Sequence, residues 1–364
     1  MTSLPGSPLA AQMDRIDRAR TARRERYTLR DERITLSHGS GGKASRNLIE
    51  GLIAPLIGND ALNVRDDCAV LDGSVLRLAF TTDAYVVSPL FFPGGDIGSL
   101  AVHGTINDLA TAGARPLGLS LSFILEEGLE TDVLRRIAAS IRAAADAAGA
   151  PIVTGDTKVV HRGKADGMFI TTSGVGRIPE GVSLSGAHVR PGDRVLLSGS
   201  IGEHGIAVML AREALELEAD IRTDSAPLHD LAAAVLAAAP ATRCLKDPTR
   251  GGVATSLNEI AQQADVGIAL DDGLIPVRQE VRAACEILGL DPLHIANEGK
   301  LIAIVPHEAS QAALAAMRAH PFGRDAAIVG EVVEGPEDMV VVRTSAGGAR
   351  VLDMLVGDPL PRIC

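Results

Sequence analysis

Past its first thirty-odd residues the chain alternates between two hydrophobic rhythms. Short runs that are apolar at most positions predict strands at Val75–Thr82, Ser120–Leu125, Ile152–Thr154 and Met168–Val175. Between them, a 3.6-residue period predicts helices at Gly98–Ala112, with Leu100, Val102, Ile106 and Leu109 among its apolar residues, and at the Ala-rich Thr131–Ala148. This alternation is βαβ-like. The polar loop with Gly163 and Gly167 predicts that its last two strands form an antiparallel hairpin. Pro179, Gly181, Gly186, Pro191 and Gly192 then crowd one stretch, 177–193, where the domain boundary is placed. A second unit follows, with strands at Arg194–Ser198, Gly267–Leu270, Leu301–Val305, Ala327–Val332 and Asp338–Arg343. Its helices are expected near His204–Leu217, Pro227–Ala238, Val253–Ala264, Val277–Leu288 and Glu308–Ala319. Both halves read as α+β, and no repeat of 20–50 residues is present.

The two ends differ from this pattern. Residues 1–33 carry Pro5, Gly6 and Pro8, then eight arginines interspersed with Asp14, Asp17 and Glu25. Without an apolar core this is not a secretory signal, and its acids argue against a transit peptide. It reads as a flexible Arg-rich extension. The expected organisation is therefore an extension at 1–33, an N-terminal domain at 34–180, a C-terminal domain at 181–350 and a mobile tail at 351–364.

Composition narrows the picture. At 364 residues, two domains are the default, and 46% hydrophobic with 22% charged residues excludes a disordered or fibrous chain. With no Trp, two Tyr and six Phe, the core must be built from Val, Ile, Leu and Ala. The formal charge of -11, with no basic stripe interleaved with aromatics, speaks against a nucleic-acid partner. No run of 18 apolar residues calls for a membrane span. Cys68, Cys244, Cys285 and Cys364 form no CxxC pair or zinc spacing, which suits reduced thiols in the cytoplasm.

Four features could carry chemistry. The first is His38-Gly39-Ser40-Gly41-Gly42-Lys43, a Gly-rich loop whose backbone could approach an anion. Ser37 and Ala44 stand where a Walker A loop needs Gly and Ser or Thr, and alone the segment reads better as a plain turn. The second is a set of acids against apolar strands or Gly turns: Asp66-Asp67, Asp83 closing a strand, Asn107-Asp108 within a helix, Asp156 in Gly-Asp-Thr, and Asp247 opening Asp-Pro-Thr-Arg-Gly-Gly. Each by itself is an ordinary cap or turn residue. Together, converging on a polyphosphate, they would make a magnesium–nucleotide clamp. The third pairs Asp156-Thr157-Lys158 with Glu298: a Lys and a Glu in apolar surroundings could move protons, while on these residues alone surface charge or a structural pair is the better reading. The histidines show no metal spacing and read as structural. The last is the tail, Gly357 to Cys364, whose Pro359 and Pro361 favour an extended segment reaching roughly 26 Å. A thiol at the extreme chain end suggests a carrier, and its position excludes a CaaX box.

Ser-His-Gly-Ser-Gly-Gly-Lys, Asp-Asp-Cys-Ala-Val, Thr-Thr-Asp, Asn-Asp-Leu-Ala, Gly-Asp-Thr-Lys, Asp-Pro-Thr-Arg-Gly-Gly, Asn-Glu-Gly-Lys and the final Pro-Arg-Ile-Cys occur here in one chain. From about residue 34 to 364 this closely resembles the HypE family of hydrogenase maturation factors. These are carbamoyl dehydratases within the aminoimidazole-ribonucleotide synthetase-like ATP-binding superfamily. The resemblance implies a two-domain α+β fold whose N-terminal halves form a β-barrel across a homodimer. It implies ATP and Mg²⁺ in a cleft, and HypF as the partner that carbamoylates the terminal cysteine. ATP-dependent dehydration of that group gives a thiocyanate, and the HypC–HypD complex accepts cyanide for the NiFe-hydrogenase iron. Carried onto this sequence, Glu298 takes protons, Lys158 supports the activated carbonyl and Cys364 carries the substrate. Asp67, Asp83, Asp108 and Asp247 hold the metal. Gly39, Ser40, Gly41, Gly42, Lys43, Asp66, Asn107, Asp156 and Thr157 hold the nucleotide. Selenophosphate synthetases, purine-pathway enzymes and thiamine-phosphate kinases share the superfamily. The first generally need a Cys early in the chain, which is absent before Cys68, and none needs a terminal Cys. A carrier with a degenerate nucleotide cleft is the reading from another class, disfavoured by intact acid motifs.

Overall fold

A computed structural model of the chain describes residues 28, 31, 36–39, 42–53, 56, 66–67, 69–72, 76–212, 220–355, 357 and 362–364. The extension expected at 1–33 thus falls outside the described residues, except for Thr28 and Asp31. So do Ser40 and Gly41 of the Gly-rich loop.

The N-terminal half is built on β1 (Ala69–Asp72), β2 (Arg77–Tyr85), the short pair β3 (Phe91–Phe92) and β4 (Gly95–Asp96), then β5 (Arg115–Glu126), β6 (Ile152–Val160) and β7 (Met168–Arg177). Five of these form a sheet in the order β1-β2-β7-β5-β6. The expected hairpin is absent: β5 lies between β6 and β7, parallel to the first and antiparallel to the second. The helix Thr131–Ala147 makes the reason plain, because a parallel β5–β6 pair needs a crossover and that helix is the crossover. The polar segment after β6 then returns the chain to the far side of β5. Helices Ile97–Thr111 and Thr131–Ala147 cover one face, with Ile97, Leu100, Ile106, Ile137 and Ile170 fully buried. Asp96 opens the first helix with a capping box, accepting from the Gly98 and Ser99 amides. The other face is open. Phe80, Leu117 and Ile124 are exposed there, and β6 is exposed almost throughout as an unpaired edge.

The C-terminal half continues with β8 (Arg194–Leu197), β9 (Cys244–Lys246), β10 (Gly267–Asp271), β11 (Ile302–Val305), β12 (Ala327–Val333), β13 (Met339–Arg343) and β14 (Ala349–Leu352). They form one sheet, β14-β13-β10-β12-β8-β11-β9. Helix Gly252–Ala264 packs on one face of it, and helices His229–Ala238 and Ser310–Ala319 on the other. Every β11 residue is buried, which gives the continuous apolar run of a sheet covered on both sides. Among the described residues, no helix is long and apolar enough to cross a membrane.

Candidate functional site

Alternation along β2 turns Ala79, Thr81, Asp83 and Tyr85 toward helix Ile97–Thr111. Asp83 therefore lies within the strand, where the sequence pattern had it closing one. The Tyr85 hydroxyl donates to Asp83 Oδ2 at 3.0 Å. Thr81 Oγ1 donates to Asp108 Oδ2, on the facing helix, at 2.6 Å. Asp67 precedes β1, and Lys246 at the end of β9 donates to its Oδ1 at 2.5 Å. Asp247 is the next residue and is buried. Two halves of the chain thus bring Asp67, Asp83, Asp108 and Asp247 into mutual electrostatic range.

Their protonation shows how close that is. Burial, then the charges of Asp83, Asp247 and Asp67, pushes the Asp108 carboxyl well above the usual carboxylate range. Burial also raises Asp83, against the Tyr85 hydrogen bond and the Arg250 charge. Burial and Asp67 carry Asp247 up to about 7. Four carboxylates this close do not all ionise without added positive charge. Burial alone would lower the Lys246 pKa, yet Asp67 and Glu259 hold it well above its ordinary value. The donor set fits magnesium, a hard cation that takes one or two carboxylates and completes its shell with water and phosphate oxygens. Among the described residues, no three His, Cys, Asp or Glu side chains form a ready-made metal cage.

Glu298 is buried beside these acids. Burial first, then Asp247, Asp224 and Asp83, drives its carboxyl well above the ordinary range, and its Oε1 accepts no hydrogen bond from the described protein atoms. Its backbone is tightly held. Asp224 accepts from the Glu298 and Gly299 amides at 3.1 and 3.3 Å. Asn107 Nδ2 donates to Glu298 O at 3.0 Å and to Ala226 O at 3.1 Å, while Asn107 Oδ1 accepts from the Leu228 amide at 2.8 Å. Asn107 therefore uses its amide hydrogens and oxygen on main chain and holds Glu298 in place. Asp66 is bound by Gln263 at 3.0 Å, tying the acidic loop to helix Gly252–Ala264. That helix starts at a bend only glycine fits: Gly252 has φ 61°, and a Cβ there would lie 2.5 Å from Leu293 O.

Other expected residues lie elsewhere. Lys43 pairs with Asp353 at 2.8 Å, and its amide donates to Leu355 O at 2.9 Å, so this end of the Gly-rich loop lies against the C-terminal segment. Asp156, Thr157 and Lys158 are exposed on β6, where Lys158 Nζ donates to Asp156 Oδ2 at 2.6 Å. Strand register puts Asp156 and Lys158 on the open face, opposite to Asp83. Three strand spacings, about 14 Å in all, separate β6 from β2. One chain alone therefore does not bring Lys158 to Glu298. Tyr85, Lys246 and Arg250 belong to the site and were not singled out from the sequence, although Arg250 lies inside Asp-Pro-Thr-Arg-Gly-Gly.

His103, on helix Ile97–Thr111, is half-buried against Ser225 of the other half, its Nδ1 3.0 Å from Ser225 Oγ. Burial lowers its pKa to about 4. The unfolded chain takes up this proton near pH 6.5 and the folded one only near 4, so the stabilisation is complete above pH 6.5 and is lost as pH falls to 4. Its ceiling is about 3 kcal/mol. Urea midpoints are expected to fall more steeply over that window in the native sequence than in His103→Gln, and equal slopes would refute this.

The tail, expected to be a mobile arm, ends seated. Ile363 is buried and Cys364 half-buried against the N-terminal core. The Val86 amide donates to Cys364 O and the Ser88 amide to Arg362 O, both at 3.2 Å. Val86 directly follows Tyr85, so the terminal residue lies beside the end of the strand that carries Asp83.

This fold and this acidic site define an AIR synthase related protein: residues 65–178 match the N-terminal domain of that family and residues 190–343 its C-terminal domain. Carbamoyl dehydratase HypE of Azotobacter vinelandii is 58% identical over 339 residues, 93% of this chain and 99% of that protein. A crystal structure of a hydrogenase maturation protein HypE in complex with ATP superposes with a TM-score of 0.77 at 48% identity, covering 91% of this chain and 100% of that one. A HypE–HypF complex gives 0.81 at 45% identity, covering 85% of this chain and 99% of that one. The chain belongs to the HypE carbamoyl dehydratase family, enzymes of hydrogenase maturation.

Proposed function

We propose that the protein uses ATP to dehydrate a carbamoyl group carried on the Cys364 sulfur, and that the resulting thiocyanate supplies cyanide to the iron of a NiFe hydrogenase. The seating of residues 362–364 beside the end of β2 supports this reading, because the terminal residue pairs with Val86, three positions along the chain from Asp83. An amide oxygen is a poor leaving group. Attack of the carbamoyl oxygen on the γ-phosphorus expels ADP and turns that oxygen into phosphate. Loss of both N–H protons and of phosphate then leaves S–C≡N. Glu298, desolvated and backbone-anchored, is assigned as the base that accepts a proton. Asn107 and Asp224 hold it there. Asp67, Asp83, Asp108 and Asp247 would hold Mg²⁺, which supplies charge neutralisation of the phosphates. Lys43 and the Gly-rich loop are assigned to the phosphates and Asp66 to the nucleotide side.

HypF is the expected carbamoyl donor, by analogy with the HypE–HypF complex, and HypC–HypD the cyanide acceptor. The open face of the N-terminal sheet and the unpaired β6 edge suit a second copy of the chain, closing the two sheets into a barrel. Asp156, Thr157 and Lys158 enter the reaction in this reading only as residues delivered through that dimer. Cys244 and Cys285 are buried thiols outside any disulfide, which suits a reducing cytoplasm.

Mass spectrometry tests these parts together. After incubation with HypF, carbamoyl phosphate and ATP, Cys364 should gain a carbamoyl group and then lose one water only while ATP remains. Adding HypC–HypD should return the free thiol, and native spectra should show twice 37.8 kDa. A carbamoyl adduct stable in ATP ends the dehydration reading. A thiocyanate stable in HypC–HypD ends the acceptor assignment, and a lone monomer ends the barrel.

A further inference from the structure

The last three residues lie against Val86–Ser88 in antiparallel spacing, 364 opposite 86 and 362 opposite 88. Main-chain bonds of this kind carry no sequence information, and a two-residue slip would preserve them. The register is fixed instead from the C-terminal half. Arg212, just past helix Glu203–Ala211, donates from Nε to Ser88 O at 2.7 Å and from Nη2 to Arg362 O at 2.6 Å. One planar guanidinium thus ties the tail to the segment it lies on, a geometry lysine does not reproduce. His204, fully buried in the same helix, sits 2.7 Å from Ile363 O through Nε2 and 2.7 Å from Thr223 Oγ1 through Nδ1. Burial keeps its ring neutral at physiological pH, so Nε2–H donates to the tail and Nδ1 accepts from threonine. The Phe92 ring packs against its edge at 5.5 Å. On the tail side, Arg362 returns a bond from Nε to Val86 O at 3.0 Å and an ion pair to Asp166 at 2.6 Å.

We infer that Arg212 and His204 form a clamp that sets the register of residues 362–364 and thereby positions the Cys364 sulfur for dehydration. Both touch the tail backbone, away from the reacting group, so they are positioning residues. The inference rests on the function proposed above.

Two readouts on the full-length protein test it. Iodoacetamide labelling of Cys364, read on the C-terminal peptide by mass, should run about tenfold faster or more in Arg212→Ala, since bonds from a charged donor are lost. Arg212→Lys, which keeps the charge and one bond, should fall between. In carbamoylated protein, Arg212→Ala should slow water loss at saturating ATP about tenfold, with the half-saturating ATP concentration unchanged, and Arg212→Lys should partly restore the rate. A merely structural role would shift ATP half-saturation with the rate. Unchanged labelling overturns the clamp. Faster labelling with an unchanged rate of water loss overturns the positioning role and leaves the proposed reaction standing. If the native sequence itself fails to dehydrate while the labelling difference persists, the proposed reaction falls and the positioning role with it.

Discussion

Cys364→Ser is expected to abolish thiocyanate formation altogether while ATP binding stays within about twofold of the unsubstituted protein. The change replaces one atom at the last residue. It keeps the Val86 amide bond to Cys364 O and the buried Ile363 side chain, so the tail stays seated. What it removes is a thiolate nucleophile, and a hydroxyl with its far higher pKa does not take its place at neutral pH. The acids that are proposed to hold Mg²⁺ sit before β1, on β2, on helix Ile97–Thr111 and after β9, on elements other than the tail. Isothermal titration with ATP and mass spectrometry of the carbamoylation reaction check the two halves of the expectation. Undiminished cyanide delivery by the serine variant would remove the terminal sulfur from the mechanism. A large loss of ATP affinity would mean that the tail helps build the nucleotide site.

The long periodic segments of the fold are legible in the sequence because each answers to one local rule. Thr131–Ala148 runs one residue past the observed helix and Gly98–Ala112 is offset from its helix by one residue at each end, since a 3.6 period over four turns has few competing explanations. Pairing is not local, and the misassigned hairpin shows it: nothing in residues 152–177 says that β5 will lie between the two strands. β6 extends beyond the apolar run Ile152–Thr154 to Val160. Its Gly155-Asp156-Thr157-Lys158 stretch looks like a loop because an exposed edge strand needs no apolar face. β9 and β14, three and four residues long, were missed for want of any period to detect.

The site divides in the same way. Asp67, Asp83, Asp108, Asp247 and Glu298 were marked by motifs, and the fold gathers them. Lys246 and Tyr85 become visible only in three dimensions: a lysine inside an apolar strand and a tyrosine two residues past an aspartate carry no signal until burial forces each onto a carboxylate. In the sequence Asn107 stands out only beside Asp108, but its task is set by residues 119 and 191 positions away. The docking of the tail depends on Arg212 and His204, 150 and 159 residues before their partners. Extended, proline-bearing sequence says that the tail can reach, and only the fold says what receives it.

Glu298→Gln and Asp83→Asn are expected to fail differently, and the contrast separates proton removal from phosphate activation. Glutamine fits the Glu298 site, because the backbone there is held by Asp224 and Asn107 independently of the side chain. The change removes a desolvated carboxylate that can accept a proton, and loss of such a base costs roughly 10²–10⁴ in rate. Water loss from carbamoyl-Cys364 should fall by that factor, with ATP half-saturation unchanged. Asp83→Asn keeps a partner for the Tyr85 hydroxyl but takes one charge from a cluster whose raised carboxyls mark it as short of cations. Relieved of that repulsion, Asp108 and Asp247 should titrate closer to ordinary values, and the site should bind Mg·ATP less well. Both the ATP requirement and the magnesium requirement of the reaction should therefore rise, about tenfold or more, before any effect on proton removal is seen. Single-turnover rates measured across ATP and Mg²⁺ concentrations distinguish the two. Asp83→Asn with native half-saturation for both would take that carboxylate out of the metal site, and Glu298→Gln dehydrating at the native rate would leave the nitrile-forming step without its assigned base.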